Sequence, residues 1–202
     1  MSDEPLTVFE TRESLLLRLK EQGNEQDWRE FHDIYGRLIF GYCLHFNISY
    51  AEAEDIVQEV CVKVFRHIGK FDYSPEKGRF RGWLKTITRN TVTDYLRRRQ
   101  NRARIAQDYV IHAEMKQETR PEQDEEVWQR EWEKALYEAA LERVRKRVGE
   151  ETYRVFHRYV LDNESATDVA DETTLDANAI YAVKHRVMRY IREEVERILN
   201  NE

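Results

Sequence analysis

Arg81, Lys85, Arg89, Thr93 and Arg97 recur every fourth residue through the stretch GRFRGWLKTITRNTVTDYLRRRQNRAR, residues 78–104. At that spacing the side chains follow one side of an α-helix, with Phe80, Leu84, Ile87, Thr91 and Tyr95 marking the other. Guanidinium and ammonium groups in a row suit phosphate: they neutralise a polyanion and release its counterions, which supplies affinity independent of base sequence. A solvated helix end would explain the terminal RRRQNRAR alone. It does not explain one face composed to pack and another composed to meet an anion, so nucleic acid is the expected ligand.

The basic run stands inside an acidic chain of formal net charge -6. Residues 63–104 hold 13 basic and 3 acidic side chains, whereas residues 1–62 hold 5 and 13 and residues 105–142 hold 4 and 11. Such blocks do not make one uniformly solvated surface. The six histidines are scattered, and there is no HExxH, CxxC or phosphate-cradling glycine loop, so no enzyme, metal site or cofactor is expected. Cys43 and Cys61 sit among apolar helical neighbours and read as buried free thiols in a reducing cytoplasm. No apolar run reaches the roughly 18 residues of a membrane span, and MSDEPLTVFE lacks the features of a secretory signal, so a cytoplasmic protein without membrane insertion is expected.

With 7 Gly, 3 Pro and no alternating apolar runs, the chain reads as all-α. A helix is expected over about Glu25 to Phe46, and SYAE supplies a capping box in which Ser49 bonds forward and Glu52 reaches back. The helix that follows carries an apolar stripe of Ile56, Val57, Val60, Cys61, Val64, Phe65 and Ile68. Asp55, Glu59, Val62 and Arg66, with Gln58 beside them, form a second face, where Val62 has no purpose if water is its only neighbour. KFDYSPEKG is a turn, and the basic helix spans about Phe80 to Gln100. Residues 105–129 are acidic, aperiodic and interrupted by Pro121, which predicts a partly structured linker, with Trp128 and Trp132 opening a second domain. Glu10 to Gln22 reads as an amphipathic helix over the first domain. In the second, a short helix in ESATDVADE and a long one in DANAIYAVKHRVMRYIREEVERIL have the order of a helix-turn-helix. Asp176 should cap the long helix, with Ile180, Val183, Val187 and Ile191 inward.

AEAEDIVQEVCVKVF followed by FDYSPEKGRFRGWLKTITRNTVTDYLRRR resembles region two of extracytoplasmic-function (ECF) RNA polymerase sigma factors of the sigma-70 family, over about Trp28 to Arg99. Residues from about Glu133 to Leu199 resemble region four of that family less closely. The resemblance implies two small helical domains: a region-two-like domain with an N-terminal helical extension at 1–104, an acidic linker at 105–129, and a region-four-like helix-turn-helix domain at 130–202. It also implies a non-enzymatic protein that binds core RNA polymerase and promoter DNA, recognises minus-ten and minus-thirty-five elements and assists duplex opening. An anti-sigma factor is a further partner that such proteins can have.

By the resemblance, the minus-ten element is met by Arg79, Phe80, Arg81, Trp83, Lys85, Arg89, Asn90, Arg97 and Arg98. Basic groups would hold the backbone while Asn90 reads a base; Phe80 and Trp83 would support the opened strand, though the helical spacing of Trp83 with Ile87 favours core packing for Trp83. Asp55, Gln58, Glu59, Val62 and Arg66 would bind the clamp helices of the largest polymerase subunit. The minus-thirty-five element would meet Asn178, Tyr181 and Ala182 at base edges, with Lys184, His185, Arg186 and Arg189 around the same exposed side. The linker is either a mimic of RNA in the polymerase channel or a tether. Thr173 and Thr174 stand where the family has a Leu-Gly turn, and Val183 stands where Arg is frequent. A polymerase-independent helix-turn-helix regulator and a helical adaptor that binds only proteins remain alternatives.

Overall fold

The computed structural model describes residues 15–21, 23–71, 80–106 and 121–199, which are helical with short connections and contain no strand. Nine α-helices occur among them: α1 (Leu15–Lys20), α2 (Glu25–Phe31), α3 (Arg37–His45), α4 (Tyr50–His67), α5 (Phe80–Ala106), α6 (Pro121–Val148), α7 (Glu150–Phe156), α8 (Ala166–Asp171) and α9 (Ala177–Leu199). They divide into two compact units that meet in the chain between Ala135 and Leu136. None of the described helices is long and apolar enough to cross a membrane.

In the first unit, α2 and α3 replace the single expected helix, joined by a π-helical turn over His32–Gly36. Asn24 caps α2 by accepting from the backbone N–H groups of Gln26 and Asp27 at 2.9 and 3.1 Å, and Asp27 returns a bond to the Asn24 N–H at 3.0 Å. The reciprocal bonds satisfy donors that a helix start leaves without partners. At α4 the Glu52 carboxylate accepts from the Ser49 N–H at 3.1 Å and from the Ser49 hydroxyl at 2.6 Å, at the position that SYAE predicts.

Phe31, Leu38, Ile39 and Tyr42 from α2 and α3, Val60 and Val64 from α4, and Phe80 and Leu84 from α5 are almost wholly buried and form the core. The apolar stripe of α4 is narrower than its sequence suggests. Ile56, Val57, Val60, Val64 and Ile68 are buried, whereas Cys61 is half-buried and Phe65 is 63% exposed, its ring 5.3 Å from Trp28. Both cysteines are free, and burial pushes the Cys43 thiol up to about 12 and that of Cys61 to about 11, which makes them poor nucleophiles.

The structure also differs from the sequence expectation at residues 121–129, which are helical. Pro121 starts α6 rather than breaking it, as its missing N–H is one that a first turn does not use. Trp128 and Trp132, expected to open the second domain, pack in the first unit and are 3% and 2% exposed. The physical reason is an aromatic surface formed by Tyr35 of the π-helical turn and Tyr42 of α3, which composition along the chain does not reveal.

In the second unit, Gly149 adopts φ of +81° between α6 and α7, a conformation that L side chains rarely take. The Arg158 guanidinium holds Glu164 at 2.6 Å and Glu172 at 3.0 Å, joining the end of the α7 segment to the start and end of α8. Asp176 caps α9 through the Ala179 N–H at 2.7 Å. Ile180, Val183, Val187 and Ile191 are buried as expected, and the same side of the helix continues to Ile198 and to Glu194, which pairs with Arg197.

The connection between α8 and α9 answers the question raised by Thr173 and Thr174. Neither residue has positive φ; among described non-glycine residues that conformation occurs only at Asn47 and Asn163. Thr173 instead donates its hydroxyl to the Val169 carbonyl at 2.8 Å and accepts from the Leu175 N–H at 3.4 Å, while its own N–H reaches the Ala170 carbonyl at 3.2 Å. A side chain thus supplies the closure that a glycine would supply through the backbone.

Candidate nucleic-acid interface

α5 positions the basic residues, but not on a single face. An α-helix has 3.6 residues per turn, so each four-residue step overshoots a full turn by about 40°, and the row from Arg81 to Arg97 drifts round by roughly 160°. Its start therefore turns into the protein and its end turns out. Thr88 and Val92 join Phe80, Leu84 and Thr91 on the buried side, while Arg89, Asn90, Thr93 and Arg97 are exposed.

The first residues of the row are occupied by α6. The Lys85 ammonium lies 2.8 Å from an Asp124 oxygen and 2.7 Å from a Glu125 oxygen, and its side chain is only 14% exposed. The Arg81 guanidinium stands 4.9 Å from the centre of the Trp132 ring. Tyr42 donates its hydroxyl to Asp124, and burial followed by that carboxylate pushes the phenol well above its ordinary value. Tyr35 stacks on Trp132 and Tyr42 meets Trp128 edge-on at 5.3 Å. Asp124 and Glu125 are not singled out by the sequence reading, which assigns Trp128 and Trp132 to the second domain rather than to contacts with α3 and α5. The spacing of Asp124, Trp128 and Trp132 at successive four-residue steps was the available signal.

Phe80 is 1% exposed and its ring meets Tyr35 at 5.3 Å and Phe71 at 5.7 Å, so in this structure it serves the core rather than a strand in solvent. Trp83 is half-buried between Phe71 at 4.8 Å and Phe80 at 5.4 Å, consistent with the packing reading. Arg79 lies outside the described residues. Arg98 is separated from the rest of the basic set: it reaches Glu59 of α4 at 3.4 Å.

Arg98 and Glu59 thus bring together residues expected to serve different partners. Glu59 is also held by Lys63 at 2.8 Å, and Lys63 donates to the Thr91 hydroxyl at 2.9 Å, so the Glu59 carboxyl is pulled below its ordinary range chiefly by Lys63. Asp55 and Glu59 line a shallow cleft with Ile56, Tyr95, Arg98, Asn101 and Arg102. Asp55, Gln58, Val62 and Arg66 face outward on α4, with Val62 47% exposed.

On α9, Asn178, Tyr181, Ala182, Lys184, His185, Arg186 and Arg189 are all exposed. Tyr159 steadies two of them, with its ring 5.8 Å from Tyr181 and 5.5 Å from the Lys184 ammonium. Arg189 reaches Glu193 at 3.7 Å and lies 5.3 Å from the Tyr190 ring. The first turns of α9 therefore offer an amide, a phenol and a small side chain, with cations on the following turns. Among the described residues no group of His, Cys, Asp or Glu is arranged to hold a metal ion.

Residues 31–102 match the family model described as Sigma-70 region 2. The chain is 28% identical over 99 residues to the ECF RNA polymerase sigma factor BldN of Streptomyces coelicolor, a match covering 48% of this chain and 36% of that protein. It is 29% identical over 100 residues to the ECF RNA polymerase sigma factor SigW of Bacillus subtilis, covering 48% and 49%. The ECF RNA polymerase sigma factor SigE of Mycolicibacterium smegmatis is 32% identical over 79 residues, or 39% of this chain and 29% of that protein. The chain thus matches half or less of the length of each of these curated relatives.

Proposed function

From the match of residues 31–102 to Sigma-70 region 2 and the likeness to extracytoplasmic-function sigma factors, we propose that the chain is a sigma factor of that kind, which binds core RNA polymerase and directs it to promoters with two separately recognised elements. The role in transcription initiation and the division of labour among surfaces are both part of that proposal.

In that division the outward side of α4, with Asp55, Gln58, Val62 and Arg66, docks on the polymerase clamp helices. The exposed part of α5 meets the minus-ten element: Arg89 and Arg97 hold phosphates, and Asn90 offers both a donor and an acceptor to a base edge or an extruded base. The start of α9 reads the minus-thirty-five element through Asn178, Tyr181 and Ala182, while Lys184, Arg186 and Arg189 hold its backbone.

The observation that carries the reading is the exposure of Arg89, Asn90 and Arg97 along one stretch of α5 inside the matched segment. The test is transcription by purified core polymerase on a pool of promoter fragments, with and without the protein, after comigration on a sizing column. New, protein-dependent start sites are expected. A protein that binds duplex DNA but neither comigrates nor starts transcripts would be a polymerase-independent regulator instead.

A further inference from the structure

The first half of α6 presents to the unit beneath it the chemistry of a single strand of nucleic acid. The Trp132 ring stacks on Tyr35, with planes 16° from parallel, and has the Arg81 guanidinium 4.9 Å from its centre, the two kinds of partner that an unstacked base finds on a protein. Asp124 and Glu125 bring two carboxylates to the Lys85 ammonium, where a phosphate would place its oxygens. A cover chosen only for stability would not need these charges, because a buried ion pair recovers little of the cost of desolvating it. Glu131 adds a third carboxylate, set so closely over α3 that a Cβ on Gly41 would collide with it.

Lys85 lies one helical turn before Arg89, the first exposed cation of the row. The covered face and the open face are therefore consecutive parts of one basic surface.

We propose that the first half of α6 is a removable cover, and that the face under it, formed by Tyr35, Arg81 and Lys85, takes single-stranded nucleic acid in its place. An unstacked base occupies the position of the Trp132 ring, and a phosphate replaces the Asp124 and Glu125 carboxylates at Lys85. The inference rests on the reading that α5 meets opened DNA, and it extends the contact inward to residues the closed form hides. Because cover and strand exclude each other, the apparent affinity of the free chain is its intrinsic affinity scaled by the fraction uncovered.

Two variants move the cover in opposite directions. Trp132→Ala removes the stacked ring. The pair Gly41→Cys and Glu131→Cys fastens the cover by a disulfide, since a Cβ built on Gly41 lies 3.4 Å from the Glu131 Cγ, near where a cysteine sulfur would sit. Affinity of the full chain for a short labelled oligothymidylate is read by anisotropy without polymerase. Trp132→Ala should bind about tenfold more tightly than the unaltered chain, and adding Lys85→Gln should abolish that gain. The oxidised double-cysteine protein should bind about tenfold more weakly than the same protein reduced, a comparison that does not depend on Trp132→Ala folding normally.

Equal binding by the oxidised and reduced forms overturns the cover, and a gain that survives Lys85→Gln overturns the site beneath it. The transcription assay fails or succeeds separately. Transcripts with no effect of the lock would leave the sigma reading standing alone, and a lock effect without transcripts would leave the covered single-strand site standing without it.

Discussion

Trp132 lies flat on Tyr35, ring centroids 5.7 Å apart, joining the start of α6 to the π-helical turn between α2 and α3. The stack puts the acidic beginning of α6 against the basic beginning of α5, with Lys85 enclosed between them. It divides the cations of the four-residue row on α5 into a covered group, Arg81 and Lys85, and an exposed group, Arg89 and Arg97.

Arg89→Ala and Asn90→Ala remove exposed groups with different expected roles. Promoter opening by the holoenzyme, read as permanganate reactivity of unpaired thymines, should fall for both, with comigration with core polymerase unchanged. Asn90→Ala should relax discrimination at one base position by about 1–3 kcal/mol. Arg89→Ala should weaken binding to all sequences and lower the slope of log affinity against log salt by about one. Opening at the unaltered level in both would remove this face of α5 from the interface.

Val62 is 47% exposed on α4, so Val62→Arg should change unfolding free energy by no more than about 0.5 kcal/mol. Binding to core polymerase, measured by fluorescence titration, should nevertheless weaken about tenfold or more. Asp55→Lys should act in the same direction. Undiminished binding in both would rule out α4 as the docking face.

Ser49→Ala removes the hydroxyl that does most to hold the Glu52 carboxyl at about 2, against an ordinary value of 4.5. A carboxyl with a depressed folded-state value stabilises the protein above its unfolded value, and that stabilisation is lost as pH falls towards the folded one. The variant should therefore be less stable than the unaltered chain at pH 7, by about 1 kcal/mol for a lost cap. The difference should shrink as pH falls below 4.5 towards 2, and thermal unfolding across that range reads it. A difference independent of pH would mean that Glu52 is not the group responsible.

Thr173→Val keeps the side-chain shape and removes the hydroxyl bonds to Val169 and Leu175. It should destabilise the second unit by about 1 kcal/mol and weaken minus-thirty-five binding only in proportion. Thr173→Gly should also destabilise, because the turn does not use positive φ here and glycine adds backbone freedom to the unfolded chain. Stabilisation by glycine would show that the turn prefers the family geometry in solution.

The sequence by itself determined the helices and much of what they expose. Helical periodicity, the Ser49 and Asp176 caps and the inward row of Ile180, Val183, Val187 and Ile191 are local properties, set within a few residues by backbone hydrogen bonding and side-chain spacing. The blocked charge and the region-two motifs were equally local, so the nucleic-acid reading and the family resemblance could be drawn from the chain alone. Only the tertiary structure decided which cations are free. The drift of a four-residue row round α5 turns Arg81 and Lys85 inward, and the aromatic surface of Tyr35 and Tyr42 captures Trp128 and Trp132 from a distant segment. Neither periodicity nor charge within one segment specifies which other segment will lie on it, because burial of a ring or an ion pair rewards contact in space, regardless of separation along the chain.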